Sequence, residues 1–588
     1  MLKKLLKIFF QNNTPLSIGL IILGTVIWSV TMVKSGLTYP YGMGFWGPNG
    51  HDGVWHIAVI ESLSRGSWEI PVFAGETLKN YHIGYDLLLA WLHKLTFIPV
   101  STLYFQIIPP LLAISIGIFT YKFVYTWRRS KSQAFWATFF VYFGGSFGWI
   151  VTLLKSKELG GESLFWSQQS ISTLINPPFA LSILLIFLGL DLLIKGIRNK
   201  NKRLLTVATF IFGILIQTKV YSGILALGSL FVAGFWKMLK REGIDLLKVF
   251  TGSLIISLLL FLPVTKSVSS VVIFKPFWFL ETMMGFSDRF YWPRFAEAMV
   301  NYKLAGNFIK GVVAYAAAFV IFIIGNFGLR LISIAWLFEL KDIWIYKKLK
   351  DFKNLYFMDV FIFSVIGVGI IIPMFYVQRG TPWNTIQFMY YSLMFSGILA
   401  GVTLGEYIET KRVSVFYNIR TKVTIISLVV GITIPTSLGT LKHYLPARPP
   451  AKVSSEELEA LKFLSKQPDG VVLTYPFDKG EADAAIDNPP RPLYLYESTA
   501  YVSAFSKKPV YLEDEVNLEI TGYSWKERRS EVENFYSSYE VDFVSGFLLQ
   551  NNISYIYWIR GQRTTLREGQ LGLTQIFANQ EVEIYEVN

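Results

Sequence analysis

The chain has 588 residues, is 52% hydrophobic and 16% aromatic, and has a mean hydropathy of +0.41. That is too apolar for a soluble enzyme of this size and fits a multi-span membrane protein. The absence of cysteine excludes thiolate zinc sites, thiol catalysis and disulfides. The net charge of +14 is uneven. Residues 442–588 carry 15 basic and 22 acidic side chains, and the rest of the chain carries 40 and 19. The basic residues lie in short loops between apolar runs, which argues against a nucleic-acid partner and for positive cytoplasmic loops with a separate soluble tail.

In chain order, Met1-Leu2-Lys3-Lys4 precedes an apolar run at 16–33 with no small-residue cleavage site, so an uncleaved first span is expected. Further apolar runs near 104–127, 134–154, 174–194, 205–218, 220–236, 249–264, 311–338, 356–376, 386–404 and 423–441 bring the candidates to eleven. The short pair 205–218 and 220–236 suggests a tight hairpin. With the N-terminus inside, the inner loops contain Arg128, Arg129 and Lys131, then Lys195 to Arg203, then Lys237 to Arg241, then Lys347 to Lys353, then Lys411 to Lys422. All are basic, as the positive-inside bias requires. The outer segments are then 34–103, 155–173, 265–310, 377–385 and the tail. Long loops ask for a purpose. Residues 84–97 are apolar but short, and read as an interfacial or re-entrant helix.

The tail opens on Leu445-Pro446-Ala447-Arg448-Pro449-Pro450, a linker signal. A capped helix at 454–466 and strands at Val471-Val472-Leu473, Ile553 to Ile559 and Glu581 to Val587 are expected. The fold class is an α-helical polytopic membrane protein, 1–441, followed by a small α/β domain, 442–588.

The chemistry gathers in the first long loop. It holds four of the five histidines, three of them in His51-Asp52-Gly53-Val54-Trp55-His56 and Asn80-Tyr81-His82. A helix from about His51 to Ser64 places Asp52 and His56 four residues apart, on one face. Such a pair can take a proton from a hydroxyl, with Asp52 as base. The bland alternative for Asp52 is a helix N-cap after the Gly-Pro-Asn-Gly turn. His82 either joins the same site or bonds loop carbonyls. Asp86 is expected at the water surface and His93 at the interface. The ligand types also suit a divalent metal at His51, Asp52, His56 and His82. His51 and His56, however, are five apart, which is poor for one helix face.

Phosphate recognition needs fixed cations on the outer side. Lys219, at the tip of the short hairpin, and Arg379, in Gln378-Arg379-Gly380-Thr381-Pro382-Trp383-Asn384, sit in tight apolar turns, with Asn384 beside the latter. Lys275 and Arg294 are accounted for by snorkelling to the interface. Glu281 and Asp288 are weak candidates for a second acid, and Asn176-Pro177-Pro178 reads as a helix start.

These features resemble the GT-C glycosyltransferases: an inside N-terminus, a long first outer loop with Asp52, interfacial helices after it, and an outer C-terminal domain. More narrowly, His51 to His56, Gly75-Glu76-Thr77-Leu78-Lys79-Asn80-Tyr81-His82 and Ala500-Tyr501-Val502-Ser503-Ala504-Phe505 look like uncharacterised bacterial membrane proteins near that superfamily. The family's paired acidic motif is absent, since His51 precedes Asp52 and Gly53 follows it. The resemblance implies inverting sugar transfer from a polyprenyl-phosphate carrier to an unknown acceptor, in the bacterial cytoplasmic membrane. Asp52 would be the base, with His51 and His56 beside it, and His82, Lys219, Arg379 and Asn384 would bind substrate. The rival readings are a transporter or flippase of a lipid-linked sugar, and a ligase or polymerase of whole glycans.

Overall fold

The computed structural model describes residues 14–265, 272–335, 356–409, 419–562 and 572–588. The basic stretches Lys347 to Lys353 and Lys411-Arg412, and Met1 to Lys4, lie outside these residues. The protein is mostly helical, and eight of its described helices are long and apolar enough to cross a membrane. They are Pro15–Val33, Val100–Arg128, Pro177–Arg198, Val220–Leu239, Phe308–Ala335, Phe357–Phe375, Pro382–Glu409 and Ile419–Tyr444. A ninth arises if Lys131–Phe143 and Gly148–Ser156, bent by 42° at their break, make one span.

These account for nine of the eleven expected runs. The two remaining runs also form helices, Lys202–Thr218 and Asp245–Phe261, each of 17 residues. At 1.5 Å per residue that is about 25 Å, at the short end of what crosses a ~30 Å hydrocarbon layer. A single extended residue, Lys219, separates Lys202–Thr218 from Val220–Leu239. A Cβ at Gly223 would lie 2.8 Å from the Ile216 Cα, so the chain packs closely on itself at this turn. The Val100–Arg128 helix starts with a π turn, Leu103–Ile107, just before Pro109 and Pro110. The two missing N–H groups leave earlier carbonyls without an α-helical donor, and the wider turn accommodates them.

The chain divides into two compact units. The first comprises Met1–Ser29, Pro110–Pro263 and Ser267–His443. Its tightest contact joins helices Lys131–Phe143 and Gln387–Glu409. Gly397, Gly401 and Gly405 recur at four-residue spacing, and a Cβ at Gly401 would lie 2.2 Å from the Ala137 nitrogen. Small residues let membrane helices approach backbone to backbone. The 155–173 segment, expected as an outer loop, is mostly buried from Glu162 onward. Asn326 holds it, accepting from Ser167 N (3.1 Å) and donating to Phe165 O (2.8 Å). The fully buried Arg330 guanidinium donates to Gln169 Oε1 (2.6 Å) and to the Gly144 carbonyl.

The second unit comprises Val30–Pro109, Val264–Lys266 and Tyr444–Asn588, so the unit that contains the tail also contains the 34–103 segment. One four-stranded sheet takes Leu37–Tyr39 and Gly42–Phe45 from that segment and Ala451–Val453 and Arg491–Pro492 from the tail. Its middle pairing runs Met43 to Val453, Gly44 to Lys452 and Phe45 to Ala451, antiparallel. Gly42, at φ +104, turns the hairpin where any Cβ would strike the Val453 carbonyl. The second sheet, Val471–Thr474, Ile553–Ile559, Val582–Val587 and Leu573–Ala578 in spatial order, belongs wholly to the tail. The expected tail helix is Ser455–Leu464, opened by a capping box of Ser454 and Glu457.

Gly401→Val should therefore force the Lys131–Phe143 and Gln387–Glu409 helices apart, destabilising the detergent-solubilised protein by about 1–3 kcal/mol, the usual cost of overpacking. Thermal unfolding measures this. An unchanged midpoint would show that the close approach contributes nothing.

Candidate functional site

Asp52 opens the helix Asp52–Ser64, as expected, but it is the first helical residue and not the cap. The N-cap position belongs to His51, whose side chain makes no capping bond. A carboxylate in the first turn still gains from the helix dipole. The Asp52 side chain is 52% exposed, and its Oδ1 meets His51 Nδ1 at 2.9 Å. Burial alone would lower the His51 imidazole, but the charge and hydrogen bond of Asp52, with the charge of Asp514, leave it above its ordinary value.

Asp514 is an acid that no local pattern in the chain singles out. Its backbone is left-handed at φ +53, and its side chain caps the short helix Glu515–Thr521 through Asn517 N (3.1 Å). Burial pushes it up to about 7, against the hydrogen bonds of Asn517 and the charge of His51. The adjoining Glu513 is also buried and raised to about 8, although it accepts from Val502 N (2.8 Å) and Ser503 N (3.1 Å). Val502 and Ser503 belong to the tail motif that the sequence singled out. The 70–80 stretch is sewn to the tail by main-chain bonds, among them Glu513 N to Val72 O (2.9 Å) and Ala74 N to Val510 O (3.0 Å). The Asn80 amide reaches Thr521 O at 2.9 Å.

His56 faces a different partner from the one expected. Its Nδ1 lies 2.7 Å from Asp86 Oδ1, and the Asp86 side chain is fully buried. The surface position expected for Asp86 is thus wrong. The helix Gly84–Thr96 carries Asp86 in its first turn and packs it inward. Tyr104 stacks on the His56 ring (5.5 Å, 26°), Tyr85 meets it edge-on at 6.0 Å, and the Tyr81 hydroxyl stands 3.4 Å from Nδ1. His82 is half-buried with its ring 4.8 Å from that of Tyr81, which ties it to this cluster. His93 bonds the Ile98 carbonyl at 2.7 Å.

The four side chains weighed as metal ligands, His51, Asp52, His56 and His82, do not assemble. Three of them are drawn into two separate pairs, His51–Asp52 and His56–Asp86. Among the described residues no group of three or more His, Asp or Glu is placed to hold a metal ion.

Lys219, Arg379 and Asn384 belong to the other unit. Lys219 is 5% exposed. Its Nζ is 3.4 Å from Asn176 Oδ1 and 5.5 Å from the centre of the Tyr221 ring. Asn176 also caps the Pro177–Arg198 helix through Phe179 N, so the expected helix start holds and touches a candidate cation as well. Arg379 is exposed on the turn after strand Tyr376–Gln378, and the Asn384 amide donates to Thr381 Oγ1 (3.1 Å). Arg289 stacks on Trp166 at 4.0 Å and donates to the Ser163 carbonyl at 3.3 Å. Glu281 is taken up by Lys303 (2.8 Å) and Tyr315.

No protein-family model and no curated protein matches the chain. Solved structures similar to it include three membrane-associated sugar-transfer proteins, by name an oligosaccharyltransferase, ArnT and an arabinofuranosyltransferase. The Archaeoglobus fulgidus oligosaccharyltransferase, tethered to an acceptor peptide, is 11% identical with a TM-score of 0.46, over 92% of this chain and 69% of that one. ArnT from Cupriavidus metallidurans, bound to undecaprenyl phosphate, is 10% identical with a TM-score of 0.36, over 97% and 98%. The arabinofuranosyltransferase AftD from Mycobacteria is 12% identical with a TM-score of 0.49, over 97% of this chain and 40% of that one.

Because the His51 value is raised, its pair with Asp52 is fully formed below about pH 6.5, the free imidazole value, and weakens as pH rises through the raised value. Asp52→Asn removes the largest opposing effect and leaves burial, so the His51 midpoint should fall. Imidazole titration by NMR reads this directly, and an unmoved midpoint would refute the coupling.

Proposed function

We propose that the protein transfers a sugar from a polyprenyl-phosphate carrier to an acceptor hydroxyl, with Asp52 as general base. The observation that carries this is the contrast within one cluster. Asp52 is an exposed carboxylate fixed by His51, while Asp514 and Asp86 nearby in the chain's fold are buried. A base for an incoming hydroxyl must reach the substrate, and its protonation state must be set by its neighbours.

In this reading the acceptor O–H proton passes to Asp52, the oxygen attacks the anomeric carbon, and the carbon–oxygen bond to the polyprenyl phosphate breaks. Direct displacement inverts the configuration. Lys219 supports the departing phosphate, since a nearly buried cation is worth more to an anion than one in water. Arg379 and Asn384 would extend that contact, and His82 would orient the sugar. The short basic loops support an N-terminus in the cytoplasm, with residues 34–103 and the tail on the outer face of a bacterial cytoplasmic membrane.

The test is transfer from radiolabelled polyprenyl-phosphate sugars in membranes carrying wild type or variant. Asp52→Asn should lose about 10²–10⁴-fold in rate at equal expression, the usual share of a general base. Equal transfer by wild type and variant would remove Asp52 from the chemistry. Lys219→Gln should reduce transfer chiefly by raising the donor KM, by roughly tenfold for a charged contact. An unchanged donor KM would free Lys219 of that role.

A further inference from the structure

We infer that Asp86 is a positioning residue for His56, fixing the imidazole as its Nδ1–H tautomer so that Nε2 is the acceptor face offered to the substrate hydroxyl. This rests on the proposed sugar transfer for its purpose, though not for its geometry.

The 2.7 Å contact joins Asp86 Oδ1 to His56 Nδ1. Taken as ionised against the imidazole, the Asp86 carboxylate only accepts hydrogen bonds, which puts the proton on Nδ1. The Tyr81 hydroxyl lies on the same edge of the ring, at 3.4 Å. Nε2 on the opposite edge has no hydrogen bond among the described residues. Tyr104 on the ring face and Tyr85 at its edge block rotation about the side chain. The ring therefore keeps one tautomer and one direction.

Packing does not explain the arrangement. Asp86 is 0% exposed and sits in the first turn of a helix whose neighbours Leu89 and Ala90 are buried and apolar. Taking a carboxylate out of water costs several kcal/mol, and an apolar residue of similar volume would fill the place without that penalty. A buried acid that orients a histidine is the arrangement by which hydrolases hold an imidazole ready to accept a proton. Here His56 lies one helical turn from Asp52. Asp52 takes the proton of the attacking hydroxyl, and Nε2 of His56 receives a hydrogen bond from a second hydroxyl of the acceptor and so holds the attacking oxygen in line.

The experiment uses the full chain, purified in detergent, with ring-¹⁵N-labelled histidine. Only five histidines are present, and His56→Gln assigns the His56 signals by their loss. The wild type should show His56 as the Nδ1–H tautomer. Asp86→Asn, whose amide can donate to Nδ1, should convert it to Nε2–H, and Asp86→Glu should restore the wild-type form. In transfer assays Asp86→Asn should lower kcat about a hundredfold with little change in donor KM, and should have no further effect in a His56→Gln background.

An Nε2–H tautomer in the wild type overturns the inference, and so does an Asp86→Asn loss that is equally large with and without His56. Should Asp86→Asn fail to fold, the wild-type tautomer alone still decides. If the wild type transfers no sugar from any donor, the proposed function falls while the tautomer result stands by itself, so the two failures are distinguishable.

Discussion

Every buried N–H and C=O must find a partner, and a chain with eight described helices long and apolar enough to cross a membrane meets most of that demand inside helices. The 34–103 segment is where the demand is hardest to meet locally. It has two short strands and two short helices, joined by stretches without regular structure. Its backbone is completed by the tail, 350 to 450 residues further on, through a shared sheet and the bonds at Val72, Ala74 and Asn80. The candidate chemistry sits in that completed region. The tail is therefore part of the scaffold that holds Asp52, and Asp514 brings a tail charge to bear on His51.

The buried acids of this unit are held up by different means. Glu513 and Asp514 face main-chain N–H groups, which favour the ionised form, yet burial prevails and both are raised toward neutrality. Asp86 meets an imidazole instead, and Asp52 stays half in water. Four carboxylates within one unit thus have different surroundings, and such differences are how one region can divide acid, base and orienting roles.

Much of this was legible beforehand. The apolar runs, the helix from Asp52 to Ser64, the capping box at Ser454 and the alternating strands of the tail all follow from local rules that operate over a few residues. The span count rests on helix length, and the two shortest apolar helices, at 17 residues, are at the lower end of what crosses a membrane. The site was legible in its residues but not in its pairings. Asp52 and His56 share a face by helical spacing, but spacing says nothing about what another helix brings up to that face. Asp86 is expected at the water surface, but in the fold Leu87, Leu88 and Trp91 take the exposed side of that helix and Asp86 lies on the opposite side. Asp514 gave no signal at all, since its role depends on contacts with residues some 460 positions away. The glycine series 397, 401 and 405 was visible as a four-residue repeat, and it marks a close helix contact.

What separates the two candidate roles is access. A carboxylate that takes a proton from an incoming molecule has to be reached by it, and one that orients another side chain works best away from water. Asp52, half exposed at the start of its helix, meets the first condition. Asp86, wholly buried against His56, meets the second. Since Asp52 and His56 are separated by a single helical turn, an exposed base and an oriented imidazole are offered along one face. The shared face anticipated from spacing therefore holds, although the bond expected across it is replaced by one partner for each residue. That exchange widens what the face can do, because two separately fixed groups can hold one acceptor at two points, where a single Asp–His pair would be occupied with itself.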